Sequence, residues 1–115
     1  MHVGTEWLVD AAGCSPEALR SPDTLARLCN RVIADLGLTV VGEPVWHRFP
    51  GPGGVTGLIL LSESHLSCHT YPEHGQATFN LHCCRARPRW RWEQELREAL
   101  AATSILVREV VRGVP

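Results

Sequence analysis

The sequence predicts an α+β fold, a two-layer α/β sandwich in which two helices cover one face of a mostly antiparallel sheet in the order βαββββαβ. Three observations carry that prediction. Two segments repeat apolar residues every three or four positions, which marks one-sided helices. Six others alternate, or run apolar for a few residues, as strands do. The connections between the middle strands are short, which makes those strands antiparallel neighbours.

Thr5 to Ala11 is the first strand, closed by Gly13 and the Ser15-Pro16 turn signal. Ser21 caps the first helix and Pro22 suits its first turn. Leu25, Leu28, Cys29, Val32 and Leu36 share one face of it, and Gly37 is placed to end it. Leu38 to Phe49 reads as a strand bent near Gly42 and Pro44, before the turn-forming loop Pro50-Gly51-Pro52-Gly53-Gly54. Val55 to Leu61, His65 to Tyr71 and Gln76 to Cys84 form a meander. After Pro88, one side of a second helix carries Trp92, Leu96, Ala99, Leu100 and Thr103, and its Glu93 and Arg97 are spaced to pair. Ile105 to Val111 alternates as the last strand.

Composition bounds the function. A chain of 115 residues with 44% apolar and 20% charged residues is one ordinary globular domain, which excludes a disordered or fibrous protein. A net charge of -1 provides no general field for nucleic acid or anionic lipid. The basic, aromatic stretch Arg85 to Trp92 is read as a solvated loop with Trp92 turned inward, so no nucleic-acid partner is expected. The longest apolar run, Leu58 to Leu61, is far short of the ~20 residues of a spanning helix, and the N-terminus lacks the pattern of a signal peptide. Cys14, Cys29, Cys68, Cys83 and Cys84 are odd in number, contain no C-x-x-C and end in a vicinal pair, which suits free thiols. A cytoplasmic protein without membrane partners is expected.

Residues 63–73, followed by His82-Cys83-Cys84, hold the densest chemistry. On a strand, His65, Ser67 and His69 project to one face and Cys68 to the other. Pairing with the next strand brings Cys83 or Cys84 beside Ser64 and His65. Three readings compete. The histidines and cysteines are packed strand residues, or His65, His69, His82 and Cys84 bind zinc, or a serine, a histidine and an acid make a hydrolase site. The zinc spacing matches no familiar ligand pattern, and no G-x-S-x-G elbow supports a serine hydrolase.

The run Leu61-Ser62-Glu63-Ser64-His65-Leu66-Ser67-Cys68-His69-Thr70-Tyr71-Pro72-Glu73 resembles the processing motif of the prokaryotic, pyruvoyl-dependent S-adenosylmethionine decarboxylase proenzymes. In that family Glu-Ser-His-Leu is followed by His-Thr, an aromatic residue, Pro and Glu. Gly4, Trp7-Leu8-Val9-Asp10, Gly13-Cys14, His47-Arg48-Phe49, Gly54-Val55-Thr56-Gly57 and a cysteine twenty residues after Ser64 extend the similarity over nearly the whole chain.

The resemblance implies a proenzyme that cuts itself between Glu63 and Ser64 into chains 1–63 and 64–115 and turns Ser64 into a pyruvoyl group. It implies His69 as the proton-transfer residue of processing, with Thr56 as a supporting hydroxyl where the family usually has serine. The pyruvoyl carbonyl would form a Schiff base with S-adenosylmethionine and accept the electrons released with carbon dioxide, with no metal and no pyridoxal phosphate. Cys84 would return the proton to the substrate, and Cys83 would pack on the opposite side. Phe49 and Tyr71 would stack on adenine and Glu73 would bind the ribose hydroxyls. The product, decarboxylated S-adenosylmethionine, serves spermidine synthesis in this family, whose short members are homodimers. Two departures bear on the substrate. Asn80 stands where an acidic residue is common, and His82 where an aromatic or apolar residue is usual. The alternatives are a pyruvoyl-dependent decarboxylase of ornithine or arginine, and a non-catalytic or zinc-binding homologue.

Overall fold

The computed structural model describes residues 2–113. Its elements are β1 (Gly4–Ala12), α1 (Pro16–Leu19), α2 (Pro22–Asp35), β2 (Val45–Arg48), β3 (Val55–Leu61), β4 (Ser64–Tyr71), a 3-10 turn (Pro72–His74), β5 (Gln76–Cys83), α3 (Trp92–Leu100) and β6 (Ser104–Arg112). The six strands form one sheet in the order β2-β3-β4-β5-β1-β6, and every pair in it is antiparallel. The predicted two-layer α+β sandwich is the observed one.

Alternation decides which face is which. Trp7, Val9 and Ala11 of β1, Leu66 and Cys68 of β4, and Ala77, Phe79 and Leu81 of β5 are buried on one face. Leu25, Leu28, Cys29 and Val32 of α2, with Trp92, Leu96 and Leu100 of α3, pack in the same core. Each of the buried Val, Leu and Phe side chains contributes about 1.5–3 kcal/mol by leaving water. The Ser21 hydroxyl accepts a hydrogen bond from Thr24 N–H at 3.2 Å, so the predicted cap starts α2. Arg31 of α2 and Glu95 of α3 join the helices at 2.9 Å, giving the buried Glu95 a partner.

Some boundaries depart from the expectation. The predicted strand 38–49 shrinks to Val45–Arg48 and an isolated bridge between Val40 and Leu61, because Gly42 and Pro44 break the pairing. Ser15 and Pro16 start a one-turn helix, where a turn was expected. Helix α3 ends at Leu100, with Ala101 left-handed, so Thr103 lies beyond it. Glu93 pairs with Arg89 at 2.7 Å, where Arg97 was expected. In the basic loop, Trp90 is buried as well as Trp92 and donates to Asp35 at 2.8 Å, while Arg85, Arg89 and Arg91 each meet a carboxylate. None of the described helices is long and apolar enough to cross a membrane.

No element covers the other sheet face among the described residues. It presents His65, Ser67 and His69 from β4, Asn80 and His82 from β5, Glu6 and Asp10 from β1, and exposed Leu58 and Leu60 from β3.

Candidate active site

The β3–β4 hairpin turns on two residues, Ser62 and Glu63, with Leu61 opposite Ser64. Glu63 sits at φ 62°, in the left-handed region that β-carbons disfavour by roughly 1–2 kcal/mol. Its carbonyl oxygen, part of the Glu63–Ser64 peptide bond, accepts a 2.9 Å hydrogen bond from Cys84 N–H. Its carboxylate pairs with Arg85, which donates from Nη2 to Oε1 at 3.3 Å. A strained peptide with a donor on its carbonyl suits nucleophilic attack by the adjoining hydroxyl. Sequence reading missed both the main-chain donor and Arg85, because each depends on where β5 ends.

Ser64 stands opposite Cys83 in the sheet. Burial pushes the Cys83 thiol up in pKa, partly offset by Ser64 and the Arg87 guanidinium. Cys83 therefore packs on the helix side, opposite to Cys84, yet it is the cysteine that pairs with Ser64 in the sheet. Cys84 is exposed and lies beside His82, with Sγ 3.9 Å from Nε2. The other four cysteines are buried.

His82 links Cys84 to a polar cluster that the sequence did not suggest. Its Nδ1 lies 3.4 Å from Glu6 Oε1 without a well-aligned hydrogen bond, and its ring stacks on His65 at 5.2 Å. Asn80 Nδ2 donates to Glu6 Oε2 at 3.0 Å, and Arg112 pairs with the same carboxylate. Burial pushes the Glu6 carboxyl up, but Asn80, Arg112 and His82 together hold it below its ordinary value.

The remaining predicted residues gather at the other end of β4. Thr56 Oγ1 and His69 Nδ1 lie 3.0 Å apart, from register partners on β3 and β4. Both line a cleft of 440 Å³ with Phe49, Gly54, Tyr71 and Glu73. Phe49 is half exposed, and its ring packs edge-on against His47 at 4.4 Å. The buried Thr70 hydroxyl donates to Leu19 O at 2.7 Å and accepts from Val55 N–H at 2.9 Å, which fixes the floor of the cleft. Gly57 lies under the Trp46 ring, where an added β-carbon would come within 2.3 Å of it.

The predicted residues thus form two groups. Ser64, Glu63 and Cys84 stand at one end of β4, and Thr56, His69, Phe49, Tyr71 and Glu73 at the other. Ser64 and His69 are five positions apart, roughly 16 Å along an extended strand, so one copy of the chain does not join the groups. His65, His69, His82 and Cys84 do not converge either, and no three His, Cys, Asp or Glu side chains among the described residues form a metal site.

The profile of the family described as S-adenosylmethionine decarboxylase matches residues 5–113. An S-adenosylmethionine decarboxylase proenzyme of Thermococcus kodakarensis is 33% identical over 114 residues, covering 97% of this chain and 78% of the relative. One of Pelotomaculum thermopropionicum is 32% identical over 115 residues, covering 98% and 89%. The crystal structure of the adenosylmethionine decarboxylase from Aquifex aeolicus superposes with a TM-score of 0.83 at 27% identity, covering 99% of this chain and 93% of that one.

Proposed function

The chain belongs to the S-adenosylmethionine decarboxylase family, and from that premise we propose that it is a self-cleaving, pyruvoyl-dependent enzyme converting S-adenosylmethionine to its decarboxylated form and carbon dioxide. The single observation that carries the processing step is the Glu63–Ser64 peptide, with a left-handed Glu63 whose carbonyl accepts the Cys84 N–H. The Ser64 hydroxyl attacks the Glu63 carbonyl carbon, and the Cys84 N–H stabilises the developing oxyanion. The resulting ester breaks by elimination, leaving Glu63 as a carboxylate and Ser64 as dehydroalanine. Water then replaces the nitrogen, ammonia leaves, and chains 1–63 and 64–115 separate.

The residues around Ser64 fit a pyruvoyl group, which supplies an electrophilic carbonyl and an electron sink when present. Cys84 is exposed beside that position and returns a proton to the substrate α-carbon. The cleft of Phe49, Tyr71 and Glu73 holds the nucleoside: aromatic faces suit adenine and the sulfonium cation, and a carboxylate suits the ribose hydroxyls.

The working form is a homodimer. The uncovered sheet face carries Leu58 and Leu60 at 53% and 59% exposure, and a two-fold axis near the middle of β4 brings the Ser64 end of one copy over the His69 end of the other. His69, with Thr56 beside it, then serves the partner's Ser64.

Intact mass tests this reading. Two chains split at Glu63-Ser64, the second carrying a hydroxylamine-reactive ketone, together with carbon dioxide release from S-adenosylmethionine, are expected. Release from ornithine or arginine alone would overturn the substrate, and a single unmodified chain the mechanism.

A further inference from the structure

We propose that His82, beside Glu6, positions the Cys84 thiol and returns a proton to it after each turnover. The inference rests on Cys84 being the acid of the proposed decarboxylation. Nε2 of His82 is 3.9 Å from Cys84 Sγ, and Nδ1 is 3.4 Å from Glu6 Oε1. Carboxylate, imidazole and thiol are therefore neighbours, on β1, on β5 and just after β5.

Each link is anchored. Glu6 is fixed by Asn80 and Arg112, and the His82 ring is stacked on His65 with the planes 11° apart. Gly4 leaves room for it, since a β-carbon there would lie 3.1 and 3.2 Å from two ring atoms and 3.0 Å from Cys83 O. The titratable and charged groups around the ring are Glu6 from β1, His65 from β4, Cys84, and Arg112 from β6 through Glu6. The His82 side chain is 20% exposed in the single chain.

A thiol that has given its proton away must regain one before the next turnover. Cys84 S–H protonates the α-carbon that carbon dioxide has left, and a thiolate remains. The protonated ring returns its Nε2 proton to the sulfur, with the Glu6 carboxylate 3.4 Å from Nδ1. The neutral ring then takes a proton from water. One proton is consumed for each carbon dioxide released, so the cycle balances.

Alkylation of Cys84 by iodoacetamide in the uncut Ser64→Ala chain tests the contact without any turnover. The four other thiols are buried, so peptide mass reports on Cys84 directly. An imidazole sharing the thiol proton makes sulfur more nucleophilic at neutral pH. At pH 7 the rate is expected to fall at least threefold in both His82→Phe and His82→Gln, and in the same direction in Glu6→Gln. His82→Phe keeps an aromatic ring on His65, and His82→Gln keeps a polar group, so a folding defect in one leaves the other to decide. In the cut enzyme the same His82 variants are expected to lower kcat at least fivefold with KM changed less than twofold.

A rate of alkylation unchanged within threefold in both variants overturns the contact. An unchanged kcat in an enzyme that does decarboxylate S-adenosylmethionine overturns the proton return. A wild-type chain that releases no carbon dioxide from S-adenosylmethionine, while its alkylation still depends on His82, defeats the functional reading and leaves the His82–Cys84 contact standing.

Discussion

The backbone N–H of Cys84 donates to the carbonyl oxygen of Glu63 at 2.9 Å, while the Cys84 side chain points away to His82. One residue therefore offers a main-chain group to the Glu63–Ser64 peptide and a side chain to the open face. The two are separable by mutation.

Cys84→Ala keeps the N–H and loses the thiol. Self-cleavage is expected to persist, seen as two chains by intact mass, while carbon dioxide release falls about 10²–10⁴-fold, the usual worth of a general acid. Ser64→Ala is expected to leave one uncut chain.

Glu63→Gly relieves the left-handed turn, worth roughly 1 kcal/mol of ground-state strain. Cleavage is expected to slow about fivefold, measured as the decay of uncut chain on a gel. An unchanged rate would show that the turn does not promote the cut.

The separation of Ser64 from His69 along β4 predicts complementation between chains. His69→Ala and Ser64→Ala are each expected to remain uncut alone. Co-expressed, they are expected to yield cut His69→Ala chains, because the Ser64→Ala partner supplies the missing histidine. Absence of cutting in verified mixed dimers would rule out a shared site.

Phe49→Ala and Tyr71→Ala are expected to raise KM for S-adenosylmethionine roughly tenfold, through loss of aromatic stacking at about 0.5–1.5 kcal/mol beyond the buried area. Steady-state kinetics on cut enzyme checks this, with kcat the less affected parameter.

Glu6 predicts part of the acid sensitivity. Its folded carboxyl ionises below the ordinary value of 4.5, so its contribution to stability is present above that value and is lost as pH falls through the lower folded one. Glu6→Gln is expected to lower the urea midpoint at pH 7 and to converge with the wild type toward pH 3. Parallel midpoints across that range would remove Glu6 from the acid response.

Periodicity made most of the fold legible. The apolar patterns of Val55 to Leu61 and of Gln76 to Cys84 mark two strands, the second ending one residue earlier at Cys83, and Ser21 with Leu25, Leu28 and Val32 marks α2, because cap and buried stripe are local properties. Trp90 was missed because its burial depends on Asp35 of a distant helix. Glu93 was given the wrong partner because the i, i+4 rule is satisfied in either direction, and the chain entering α3 places Arg89 nearer.

The sequence by itself determined the two-layer architecture, the face each β4 residue takes, and the Glu-Ser-His-Leu run with its cysteine twenty residues on. Tertiary structure alone decided that Ser64 and Cys84 stand at one end of the sheet and His69, Tyr71 and Glu73 at the other, and that Glu6 and Asn80 gather at His82. The physical reason is register. Strand alternation depends only on neighbours along the chain, but which residues meet across strands depends on where each hairpin turns. Here the two-residue turn at Ser62-Glu63 sets both the strained peptide and the partners of everything beyond it.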